Sequence, residues 1–132
     1  MTVIDASVAI DALLGDDHLA QPALAEIEQA ALIEVPGVFV AEVMSALRSV
    51  AARGVPVDEH VGRHLRWARD LPTTTHAIDG LVPRIWELRH VVSVYDAWYV
   101  ALAESLEVDL VTNDRRLQRA PGVRCVVRPP GG

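Results

Sequence analysis

The sequence has no lysine, only one cysteine and no apolar run of membrane-spanning length, and each of these absences narrows the field. A lone thiol, Cys125, closes no internal bridge, so the chain is not a disulfide scaffold. The N-terminus, Met1-Thr2-Val3-Ile4-Asp5, lacks the positive flank and apolar stretch of a secretory signal. Both features point to a reducing cytoplasm and to a mature chain that starts here, with Cys125 expected as a buried strand thiol. The strongest apolar run, Ala97 to Ala103, falls far short of the roughly 18 residues that a bilayer span needs, which argues against a membrane protein. Repeats and low-complexity tracts are also missing.

What remains is 132 residues, 51% hydrophobic and 23% charged, enough apolar material for one packed core. We expect a single domain over residues 1–127 and a short tail, Arg128-Pro129-Pro130-Gly131-Gly132, whose prolines and glycines cannot extend a regular element. Twelve basic against 18 acidic residues leave a net charge of −6, which argues against holding nucleic acid by bulk electrostatics. A phosphate-bearing ligand would need local help. Every basic residue other than histidine is arginine, a planar, two-pronged partner for phosphate. Arg63, Arg66 and Arg69, and Arg115, Arg116 and Arg119, fall at spacings that group them on helix faces, either as solvated surface or as phosphate guides.

Periodicity and capping signals alternate short strands with helices. Strands are expected at Thr2–Ile4, Leu32–Val35, Thr73–His76, Asp109–Thr112 and Val123–Val127. Helices are expected at Ser7–Leu14, Pro22–Ala31 after an Asp16-Asp17 loop, from Pro36-Gly37 to Gly54, and at Val57–Arg69, Ile78–Leu88, Tyr95–Leu106 and Arg115–Arg119. Tyr95–Leu106 is apolar on nearly every face and so belongs inside. This pattern reads as an α/β three-layer sandwich, a mostly parallel central sheet flanked by helices through right-handed crossovers.

In such a sheet, strand ends and the following helix starts share one rim, where ligands bind. Asp5 closes the first strand, Glu42 opens the helix after Pro36-Gly37, Asp96 opens the buried helix, and Asp114 follows the Asp109–Thr112 strand. Each has a bland alternative: Asp5 and Asp114 as helix N-caps, and Ser93-Val94-Tyr95-Asp96 as a capping box. Four on one rim are harder to dismiss. Two carboxylates about 5 Å apart repel by roughly 3 kcal/mol at an effective dielectric of about 20. Either some are protonated or a divalent cation offsets the repulsion. An all-oxygen set selects Mg²⁺ or Mn²⁺ over zinc, and the reaction implied is phosphodiester hydrolysis.

Val3-Ile4-Asp5-Ala6-Ser7, Ala41-Glu42-Val43 with Ala46-Leu47-Arg48, Tyr95-Asp96-Ala97 with Ala101-Leu102-Ala103-Glu104, and Thr112-Asn113-Asp114-Arg115-Arg116-Leu117 together resemble the PIN-domain nucleases, in particular the VapC-type toxins of bacterial toxin–antitoxin pairs. The resemblance spans essentially the whole chain. It implies a Mg²⁺-dependent endoribonuclease using a metal-activated water, with the acidic quartet at Asp5, Glu42, Asp96 and Asp114 as metal-binding and catalytic residues. It also implies supporting polar positions at Ser7, Thr112 and Asn113, a homodimer, and a cognate antitoxin whose tail covers the site. Arg115 and Arg116 beside Asp114 are candidate phosphate contacts, for an RNA substrate with a flexible single-stranded segment.

Two readings from other classes compete. A Mg²⁺-binding phospho-receiver module would want a lysine, which this chain lacks. A non-catalytic dimeric binding module stays open, and RNA cleavage with and without chelator separates it from an enzyme. His60 and His64 stand at a metal-binding spacing but have no third soft ligand in view, so they are expected at the surface. His18, His76 and His90 show no partner pattern. Trp67, Trp86 and Trp98 are expected in the core or at a dimer contact rather than as base-stacking platforms, and Glu104 either faces the site's interior side or is solvated.

Overall fold

The computed structural model describes every residue except Val57 and Asp58. At its centre is strand β1 (Thr2–Ile4), whose three residues are all buried, as a strand covered on both faces must be. Around it stand β2 (Ile33–Pro36), β3 (Thr73–His76), β4 (Leu110–Val111) and β5 (Val127–Arg128), in a fully parallel sheet of order β3-β2-β1-β4-β5. Register pairs Thr2 with Ile33 on one side of β1 and Val3 with Leu110 on the other.

Helices α1 (Ala6–Leu14) and α2 (Asp17–Gln29) connect β1 to β2, and α3 (Phe39–Ala52) and α4 (Val61–Asp70) connect β2 to β3. The chain then crosses back through α5 (Val82–Glu87) and α6 (Val94–Leu106) to β4 on the far side of β1, and α7 (Arg115–Gln118) leads to β5. Right-handed crossovers in opposite directions place the two sets of helices on opposite faces, giving the expected three layers. They also make the β1–β4 boundary a switch point, beyond whose strand ends a crevice opens. Helix α6 carries six buried residues, among them Tyr99 and Leu102, and packs against β1 and β2.

Several boundaries differ from the sequence expectation for identifiable reasons. Helix α2 begins at Asp17 rather than at Pro22, because the Asp16 side chain caps it by accepting from the Leu19 amide at 3.2 Å. Pro22 lies inside the helix and costs one backbone bond. The Ile78–Leu88 helix is split into 3₁₀ turns at Asp79–Leu81 and Leu88–His90 around α5, where Pro83 sits in the first turn that proline tolerates. Helix α4 starts at Val61, and the first two positions of the expected Val57–Arg69 helix lie outside the described residues. Cys125 is half-buried and outside any strand, and burial pushes its thiol up to about 11. Trp67 and Trp98 are half-buried against the core, whereas Trp86 is exposed.

The last strand is shifted as well, to Val127–Arg128, and takes in Arg128, which the sequence assigns to the tail. A tertiary contact explains the shift. The Arg128 guanidinium makes a two-pronged bond to Glu26 on α2 at 2.8 and 2.9 Å and reaches Asp109 at 2.7 Å, while the Gly131 amide donates to Glu26 at 3.1 Å. Arg128 holds the Glu26 carboxyl below its ordinary value of 4.5. Replacing Glu26 with Gln should therefore cost about 1–2 kcal/mol in urea denaturation at neutral pH. Because the folded-state value is lowered, the parent's advantage should be complete above about pH 4.5 and fade as acidification passes through that lower value.

Candidate active site

The site begins at Asp5, where β1 ends and α1 starts. Its Oδ1 accepts from the amides of Ser7 and Val8 at 3.0 and 3.3 Å and from the Ser7 hydroxyl at 2.5 Å, and its Oδ2 accepts from the Thr112 hydroxyl. Asp5 is buried, and among the described residues no cationic side chain is paired with it. Burial pushes its carboxyl up, and the bonds from Ser7, Thr112 and Val8 pull it back.

Those same donors tie the β4–α7 turn to α1. Thr112 Oγ1 accepts from the Asp114 amide at 3.0 Å, the Asn113 amide donates to Ser7 Oγ at 3.2 Å, and Asn113 Nδ2 donates to Asp11 at 2.5 Å. Ser7, Thr112 and Asn113 thus form one network that holds Asp5 and aims the turn bearing Asp114.

Glu42 arrives from the first turn of α3, Asp96 from the first turn of α6, and Asp114 from the N-cap of α7. With Asp5 they line one depression of about 460 Å³ at the switch point, together with Ser7 and Asp11. Burial pushes the Glu42 carboxyl up, and the nearby Asp96 and Asp5 carboxylates push the same way. Asp114 differs: Arg116 folds back on it, with Nη2 at 3.1 Å, and holds its carboxyl below the usual range. Asp5 and Asp114 are also the N-caps of α1 and α7, so capping and lining the depression coexist. Only half of the expected capping box forms. Ser93 Oγ accepts from the Asp96 amide at 3.1 Å, while among the described residues no donor is hydrogen-bonded to the Asp96 carboxylate.

Among the described residues no three Asp, Glu, His or Cys side chains already converge as a set of ligands for one ion. Asp5 is turned to hydroxyls and amides and Asp114 to Arg116, so neither points its oxygens freely into the depression. The donor chemistry nonetheless fits a hard divalent cation, because every candidate ligand is a carboxylate and the innermost one is buried with no counter-charge among the described residues. A further polar atom belongs here. Tyr99 Oη is buried without a hydrogen-bond partner of normal geometry among the described residues; burial pushes its hydroxyl up, and the Glu42, Asp5 and Asp96 carboxylates push the same way.

Tyr99 and Asp11 went unrecognised in the sequence. Both carried a helical signal, since Tyr99 lies three residues after Asp96 and Asp11 four after Ser7, each one turn along the same face. The two candidate phosphate contacts separate. Arg116 lines a cavity shared with Asp96 and Asp114, whereas Arg115 lines another with His18 and Asn113. Glu104 lies outside the site, paired with Arg84 at 2.7 Å beside a cavity of about 760 Å³ that contains none of the quartet. His76 is bound to Glu34 at 2.6 Å, and His60 and His64 pack edge to face with ring centroids 6.4 Å apart. Among the described residues no helix is long and apolar enough to cross a membrane.

An acid-lined crevice at the switch point of a parallel sheet agrees with comparison to known proteins. The PIN domain family model matches residues 2–123, and the chain belongs to the PIN-domain family, in its VapC ribonuclease branch. Ribonuclease VapC9 of Mycobacterium tuberculosis (strain H37Rv) is 40% identical over 127 residues, 96% of each chain. The solved FitAcB of Neisseria gonorrhoeae has the same fold, with a TM-score of 0.70 at 14% identity over 99% of both chains. VapBC2 of Rickettsia felis, solved bound to a DNA fragment from their promoter, matches with a TM-score of 0.66 at 13% identity over 96% of both.

The crowding at Glu42 should be measurable. Its folded-state carboxyl lies above the ordinary 4.5, so ionising it costs stability above that raised value, and the cost is absent below about pH 4.5. In chelator, Glu42→Gln should melt at a higher temperature than the parent at pH 7, and the gap should close as the pH falls toward 4.5. Parallel melting curves at all pH values would show that Glu42 feels no such crowding.

Proposed function

We propose that the chain is a metal-dependent endoribonuclease that hydrolyses RNA phosphodiester bonds and serves as the toxin of a toxin–antitoxin pair. The observation that carries this reading is the meeting of Asp5, Glu42, Asp96 and Asp114 in one depression of a PIN-domain fold. These four are the residues that would hold Mg²⁺, with Mn²⁺ suiting the same oxygens. Such an ion, when bound, supplies Lewis acidity to the phosphate and lowers the pKa of the attacking water.

The chain's own residues prepare the site. Ser7 and Thr112 fix both oxygens of Asp5, so that it can serve as ligand without rotating, and Asn113 locks the turn that presents Asp114. The Tyr99 hydroxyl lies beside Glu42 and is suited to hold that carboxylate in one orientation. Arg116 is the better placed of the two arginines to meet a phosphate at the Asp96–Asp114 side, with Arg115 on the outer flank. An open depression suits a flexible single strand better than a rigid duplex.

A cognate antitoxin fits the fold shared with VapBC2. A homodimer in the cytoplasm completes the reading, supported by exposed apolar side chains at Val40 and Met44 on α3 and at Val94 and Tyr95 on α6.

Cleavage of single-stranded RNA with Mg²⁺, and its loss in chelator, is the direct test. Thr112→Val removes a supporting hydroxyl and should cost about 10–100-fold in rate, whereas Asp96→Asn should cost more than about 100-fold while melting in chelator no lower than the parent, because one repelling charge beside Glu42 is gone. Normal cutting by Asp96→Asn would overturn the assignment.

A further inference from the structure

A second cavity, about 270 Å³, adjoins the acid depression and shares Asp96 and Asp114 with it, so the two form compartments of one trench. Its character changes along its length, because Arg89, His90 and Arg116 line the compartment away from Glu42. The Arg116 side chain is 92% exposed, leaving most of its guanidinium in solvent despite the bond to Asp114.

Arg89 leads out of this compartment onto an aromatic surface. Its guanidinium stacks 4.5 Å from the centroid of the Trp86 ring and is anchored by Nη1 donating to the Trp86 carbonyl at 2.7 Å. Trp86 is 63% exposed, the highest value for a large apolar side chain among the described residues. The acid on the next position, Glu87, is held by Arg84 at 3.0 Å and so leaves the guanidinium–indole pair unopposed. An indole held by a cation on one side and open to solvent is not a core residue.

We propose that this compartment and Trp86 form a secondary subsite for single-stranded RNA, in which phosphates next to the scissile one lie against Arg116 and Arg89 and a neighbouring base stacks on Trp86. The proposal rests on the nuclease reading and extends it to the substrate's path. A surface that runs from guanidinium to indole matches a strand that alternates anionic phosphates with π-faces, and stacking of this kind tolerates any base. In this compartment the two guanidiniums stand against Asp96 and Asp114, which gives a phosphate local cationic partners on a chain whose net charge is −6.

The test uses the full chain and an eight-nucleotide oligouridylate, with binding read by fluorescence anisotropy in chelator and KM and kcat read with Mg²⁺. Trp86→Ala should weaken binding and raise KM about tenfold, the loss falling in KM rather than kcat, and Trp86→Phe should recover most of it because a flat ring is kept. Arg89→Ala should weaken binding too and reduce its salt dependence by about one counterion. The defects should shrink for a dinucleotide, which brings no further base beyond those flanking the scissile phosphate.

Unchanged binding and KM in Trp86→Ala would overturn the subsite. So would a loss confined to kcat, or unimpaired RNA binding accompanied by weakened binding of the antitoxin, which would assign the surface to a protein partner. If the parent cuts no RNA but Trp86-dependent oligonucleotide binding persists, the nuclease reading falls and the subsite stands.

Discussion

The arrangement depends on one buried carboxylate at the end of the central strand. Asp5 follows directly from β1, whose neighbours on both sides are parallel strands, so the backbone leaves it little freedom. With no cationic partner among the described residues, its charge is made tolerable by two amides and two hydroxyls that converge on its oxygens. One of those hydroxyls comes from Thr112, 107 positions away in the chain, so satisfying Asp5 also draws the β4–α7 turn into place. The same bonds that make the charge tolerable assemble the site around it.

Around that carboxylate the fold accepts electrostatic crowding. Glu42 and Asp96 come from helices on different crossovers and face the same depression, with Asp11 at its margin. The Asp114 carboxylate is offset internally by Arg116, but that of Glu42 is offset by no cation among the described residues, and its raised carboxyl value records the cost. Outside the site three well-buried acids are paired: Glu104 with Arg84, Glu26 with Arg128 and Glu34 with His76. Buried charge is thus offset at those positions and left without a cation at Asp5 and Glu42 among the described residues, the pattern expected of a site built to take up a cation.

Much of the fold was legible because helix and strand periods are local. The apolar continuity of α6, the strand at Thr73–His76 and the order of elements all follow from short-range patterning. Structure departs from local patterning where a distant partner decides. Arg128 looks like part of a Pro/Gly tail until Glu26 and Asp109 are seen to grip it, and α2 begins five residues before Pro22 because Asp16 caps it. Trp86 carries an interior residue's identity on an outward face of α5, and only the packing of that short helix reveals it.

For the site, the sequence by itself determined which residue types stand at the ends of strands and the starts of helices, and therefore that Asp5, Glu42 and Asp114 share a rim, whereas Asp96 opens a helix that no strand directly precedes and is placed in the same depression by the tertiary structure. The shared rim follows from chain direction in a parallel sheet, a property carried by the order of elements alone. Only the tertiary structure decided that Tyr99 lies beside Glu42, that Asn113 reaches Asp11, and that Arg115 and Arg116, adjacent in the chain, line different cavities. Side-chain direction and the meeting of residues from separate crossovers depend on how helices pack on the sheet, and that packing is a long-range outcome that no local pattern encodes.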